Sequence, residues 1–122
     1  MHVLRNMVGA VKPGGLVLDL QVIRPDPVVE SDGVVVCTIG GEPLFRTADA
    51  AAAAIDAMVA DGLLIEQAVD DHDVRKHYAN GPELVDDFAG KQRRLSDEEA
   101  VRALTRSCAI RERCRLRRLL VP

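Results

Sequence analysis

The sequence predicts a mixed α/β domain of three principal strands, with flanking helices and an inserted β-hairpin. Three observations predict it. Residues 16–23, "LVLDLQVI", are apolar except for Asp19 and Gln21, the pattern of a strand covered on both faces. An alanine-rich helical pattern over 47–61 leads into a second apolar run at 63–69, "LLIEQAV". Residues 108–121 alternate arginine with other residues at a period of two.

Each element has its own local cause. Leu4, Met7, Val8 and Val11 fall on one face of a helix that must stop before Pro13, which constrains Lys12 and donates no hydrogen bond. Gly14 and Gly15 permit the reversal into the first strand. Pro25 and Pro27 end that strand, and residues 28–45 read as an antiparallel hairpin turning at Ser31-Asp32-Gly33 and again at Gly40-Gly41. Thr47 is the expected N-cap of the next helix, with Asp49 near its positive end. Ala51, Ile55, Met58 and Val59 mark its buried side, and Gly62 stops it. Strand, helix and strand then form a right-handed crossover.

Residues 70–81, "DDHDVRKHYANG", read as a polar, irregular loop. A helical excursion at 82–107 follows, opened by Pro82 with Leu84, Val85 and Phe88 inward, and continued by a capping box between Ser96 and Glu99. The final segment, 108–121, reads as a strand with one arginine face, Arg111, Arg113, Arg115 and Arg117. A basic helix is the alternative.

Composition narrows the functional classes. The 122 residues suffice for one domain around one core. That core is aliphatic: Trp is absent, and one Tyr and two Phe offer no platform for stacking bases, which argues against nucleic-acid binding. Residues 1–90 carry 15 acidic and 6 basic side chains, and residues 91–122 carry 4 and 10. The asymmetry admits a basic tail for an anionic partner, or two ends of one domain that neutralise each other. Three cysteines without a CxxC spacing predict free thiols in a reducing cytosol and no zinc site. No apolar run approaches the roughly 20 residues that span a bilayer, and the N-terminus lacks a signal-peptide layout. These features predict a soluble cytoplasmic protein with no membrane partner.

The order helix, "VKPGG", strand, hairpin, helix, strand, helical excursion, strand resembles the C-terminal half of class I S-adenosylmethionine-dependent methyltransferases. Val11-Lys12-Pro13-Gly14-Gly15 before an apolar strand is the most specific element of the resemblance, which covers nearly all of the chain. It implies a partial Rossmann-like sheet over 1–122, with strands equivalent to five, six and seven and the seventh antiparallel between the other two. The 28–45 hairpin would then be an insertion lying as a lid over the ligand end. The family binds S-adenosyl-L-methionine on its first four strands, through a glycine-rich turn that allows close backbone approach. No such turn occurs in these 122 residues. The resemblance therefore implies an acceptor-side half, truncated or split, that does not bind the cofactor alone and is inactive alone.

Ligands of open α/β sheets sit at the carboxyl ends of the parallel strands. Those ends place Gln21 and Arg24, and His77 and Tyr78, as candidate residues for a small-molecule methyl acceptor. His77 or Tyr78 could serve as a general base, although methyl transfer chiefly needs alignment of nucleophile and sulfonium. A histidine packed against the sheet is the plainer reading. Asp19 and Gln21 are either functional groups near a pocket or a satisfied polar pair. His72, Asp73 and His77 match no metal-ligand spacing. The arginines of 111–117 are expected to face carboxylates across the sheet rather than phosphates.

Two functional classes result. One is a methyltransferase half whose sheet another chain completes. The other is a non-catalytic α/β module that self-associates, or binds a protein partner, through its exposed sheet edge. A glycine-rich strand-turn encoded directly upstream of Met1 would favour the first.

Overall fold

A computed structural model describes residues 10–91 and 93–122. The helix expected over 4–11 lies, up to residue 9, outside the described residues. In chain order the elements are β1 (Leu16–Val22), β2 (Val28–Ser31), β3 (Val34–Thr38), α1 (Leu44–Ala60), β4 (Ile65–Tyr78), α2 (Gly81–Phe88), α3 (Glu98–Arg102) and β5 (Cys108–Leu120). They build a mixed α/β fold on one five-stranded sheet.

The last strand organises that sheet. Along one edge β5 pairs with β4 for its whole length, from Ile65 opposite Leu120 to Tyr78 opposite Cys108. Its other edge is shared. β2 occupies the first part, with Val29 opposite Ile110, and β1 the second, with Leu16 opposite Leu120 and Val22 opposite Cys114. Every pairing with β5 is antiparallel, so β1 and β4 run in the same direction on either side of it. β3 adds to β2 through a two-residue turn at Asp32 (φ 51°) and Gly33 (φ 74°). Two successive positive φ angles match the twist of the flanking strands, which is why a glycine stands there.

Residues an odd number apart on one strand point to opposite faces. On one face Val17 and Leu119 lie beneath α1, packed with Ile55, Met58 and Leu64. On the other, at the opposite end of β5, Cys108 and Ile110 pack with Val29 and Tyr78 beneath Leu84, Val85 and Phe88 of α2 and Val101 of α3. The two cores thus occupy different faces at different ends. At the β1 end no described element covers the face opposite α1, and Leu16, Leu18 and Leu20 are exposed there at 44%, 63% and 54%. The expectation that β1 is covered on both faces is therefore met on one face only.

Four local readings are corrected. Residues 70–78 are strand, not loop: Asp71 and Asp73 stand opposite Arg115 and Arg113, and the ion pairs make a polar sequence a stable ladder. The 28–45 hairpin is not a lid. Its strands end at Thr38 and its first strand pairs with β5, because Val29 and Cys37 belong to the core beneath α2 and α3. The long helix begins at Leu44 with Pro43 in the capping position, so Thr47 lies inside it and Phe45 is anchored in the core. Ser96 does not cap α3; its Oγ accepts from the Thr38 N–H (2.9 Å), and Asp97 caps instead, accepting from the Ala100 N–H (3.0 Å).

Candidate functional site

Between α1 and the sheet lies a cleft of about 360 Å³. β1 contributes Asp19 and Gln21, β5 contributes Arg115 and Arg117, and Val69 of β4 completes the floor. Ala48 and Ala52 of α1 form the facing wall, where their small side chains leave room for the cavity. Alternation along the strands explains the floor, since these residues share the face of Val17 and Leu119. The same helix stripe carries Asp49, Ala52 and Asp56, spaced i, i+3, i+7.

Arg117 is 8% exposed and ties the three elements together. Its Nη2 donates to Asp56 Oδ1 (2.8 Å) and its Nε to Glu66 Oε2 (2.6 Å). Burial works against the guanidinium charge, and the hydrogen bonds to the two carboxylates outweigh it, raising the pKa. Arg115 donates twice to Asp71, at 2.8 and 2.9 Å, and holds that carboxyl below its ordinary range. At the mouth, Arg24 donates twice to Asp49, at 3.0 and 2.9 Å, and lowers that carboxyl in the same way. Asp19 differs. Its Oδ1 accepts from the Gln21 amide (3.0 Å), and among the described residues it forms no ion pair, although Arg117 stands opposite it in the ladder.

The four candidate acceptor residues do not meet in one place. Gln21 lines the cleft, and Arg24 stands beside it through Asp49. His77 and Tyr78 lie opposite Ala109 and Cys108, whereas Gln21 lies opposite Arg115. Six to seven residues of strand separate them, about 20 Å or more. The two also point to opposite faces. His77 borders a shallow hollow of about 180 Å³ beside Ser31 and Ser107, whereas Tyr78 is buried and donates to Asp87 Oδ2 (2.6 Å).

Arg115, Arg117, Asp56 and Glu66 were not expected at the site. The signal was the acidic stripe on α1 together with the period-two arginines of β5, which become neighbours when helix and strand stack. The cysteines supply no nucleophile: all three are buried, and burial raises the thiol pKa of Cys108 and Cys114. Among the described residues no group of three or more His, Cys, Asp or Glu is placed to hold a metal ion. No described helix is long and apolar enough to cross a membrane. The arrangement suits non-covalent binding of a small molecule between charged and apolar walls. Comparison with models of protein families, with curated proteins and with solved structures gives no match to this chain.

Proposed function

We propose that this chain is the acceptor-side half of an S-adenosylmethionine-dependent methyltransferase-like sheet, completed along β1 by a polypeptide that carries the cofactor-binding strands. One observation carries the reading: the outer edge of β1 has no partner among the described strands, and the three leucines beside it are exposed. An apolar edge without a lysine, a proline or a bulge is normally paired or covered. Each leucine stabilises by about 1.5–3 kcal/mol when fully buried, so a completed layer would gain several kcal/mol from these three positions. The placement of the final strand between β1 and β4 supports the same reading. On this view the chain alone does not bind the methyl donor, and the cleft bearing Gln21 lies on the acceptor side.

Calorimetric titration of S-adenosyl-L-methionine into this chain, beside a version extended upstream, tests it. Binding by the extended protein alone is the expected result. Micromolar binding by the isolated chain, or by neither protein, overturns the proposal.

The exposed leucines also favour a second reading, in which the edge serves self-association or a non-catalytic partner. Under it the extended protein gains no affinity for the methyl donor, and the isolated chain forms discrete oligomers.

A further inference from the structure

The cleft between α1 and the sheet holds a carboxylate, Asp19, that forms no ion pair among the described residues. Three of the acidic side chains around it are engaged by guanidinium groups: Asp49 by Arg24, and Asp56 and Glu66 by Arg117. Arg115 is occupied by Asp71, which stands next to it on β4. These groups comprise three arginines and four carboxylates, already one negative charge in excess before Asp19 is counted. Asp19 is half-buried, and among the described residues only the Gln21 amide donates to it. The cationic side chain opposite it in the ladder, Arg117, turns toward the helix instead. Around this polar floor the remaining surface is apolar: Val22 and Ile23 at the end of β1, Val69 on β4, and the alanines of α1.

A carboxylate set in a partly apolar recess is best complemented by a cation that brings its own hydrogen-bond donors. The volume, about 360 Å³, is at the low end of small-molecule sites. We propose that this cleft binds a small organic cation, a protonated amine with a short apolar body, with Asp19 as its counter-ion. The ammonium donates to Asp19, the Gln21 side chain holds the carboxylate in place, and the apolar body lies between Val69 and the alanine wall. Every group involved belongs to this chain, so the inference stands apart from whether another polypeptide completes the sheet.

The test is a nuclear magnetic resonance titration of the full chain with n-butylammonium chloride, with n-butanol and sodium butyrate as matched probes. The ammonium should shift the amide signals of Asp19, Gln21, Ala52 and Val69 saturably, and the neutral and anionic probes should not. Asp19→Asn should weaken binding by about tenfold or more. Ala52→Leu fills the cleft while leaving every charge in place, and should abolish the same shifts. Saturable binding of butanol at these residues, an ammonium response unchanged by Asp19→Asn, or no response to the ammonium overturns the proposal. None of these results bears on binding of the methyl donor, which is measured separately.

Discussion

Arg117 on β5 donates to Asp56 on α1 across 2.8 Å, and this contact fastens the long helix to the centre of the sheet beside an open cleft. The arginine is 8% exposed, and its Nε also serves Glu66 on β4, so one side chain joins three elements. Removing it would leave Glu66 without the guanidinium it pairs with here. Arg117→Ala should destabilise the fold by about 2–3 kcal/mol, and Arg117→Met by less, because the stem packing is kept. Denaturant unfolding of the two variants measures both values, and equal losses would show that charge rather than stem packing is at stake.

A second ionic contact predicts a pH dependence. The Tyr78 hydroxyl, then the Lys76 ammonium, hold the Asp87 carboxyl down at about 2 from its ordinary 3.8. A carboxyl that titrates lower when folded contributes stability above its unfolded pKa. That contribution is lost as pH falls from about 4 through about 2. Tyr78→Phe should raise the Asp87 pKa toward the ordinary value and flatten the stability profile over that interval. Carboxyl carbon shifts followed during acid titration report it directly. An unmoved Asp87 pKa would assign the effect to Lys76 instead.

The open edge of β1 predicts association of the isolated chain. Leu18 is 63% exposed in the middle of that strand. Leu18→Lys should convert a concentration-dependent assembly to a monomer in sedimentation equilibrium. Its effect on stability should be within about 0.5 kcal/mol, as for other exposed positions. If the unaltered chain is monomeric at every concentration, self-association through this edge is refuted.

Two glycines should respond differently to a methyl group. A Cβ on Gly81 would fall within 1.6 Å of the Val101 carbonyl oxygen, where α2 begins against α3. At Gly33 it would meet nothing within 4 Å, and only the positive φ of 74° opposes it. Gly81→Ala should cost about 3 kcal/mol and Gly33→Ala about 1 kcal/mol. Thermal unfolding of the pair checks the order, and a reversed order would contradict the contact between the helices.

Some of this protein is legible residue by residue. The α/β class, the first strand, the helix opened around Pro82 and the final strand follow from periodicity, proline placement and side-chain volume, which act over a few neighbouring residues. The arginines of β5 likewise declare an alternating face, and they meet carboxylates as expected. Residues 70–78 show the limit. Their own composition favours a loop, and only the facing arginines, some forty residues further on, make strand the better state. Helix starts were displaced for a similar reason, since Phe45 is anchored in the core and the Thr38 N–H engages the Ser96 hydroxyl, which reassigns the local caps.

The cleft belongs wholly to the tertiary structure. Gln21 could be singled out as a polar residue within an apolar strand, but its neighbours Asp56 and Arg117 come from the middle and the end of the chain. Likewise, the separation of His77 and Tyr78 from Gln21 depends on strand register, which no single segment encodes. Outside residues 70–78, local sequence determined which segments become strands and helices, because backbone preference and hydrophobic period are short-range. Which charges meet, and which cleft carboxylate forms no ion pair among the described residues, was decided by how α1 lies across the sheet, because electrostatic pairing depends on distance in space.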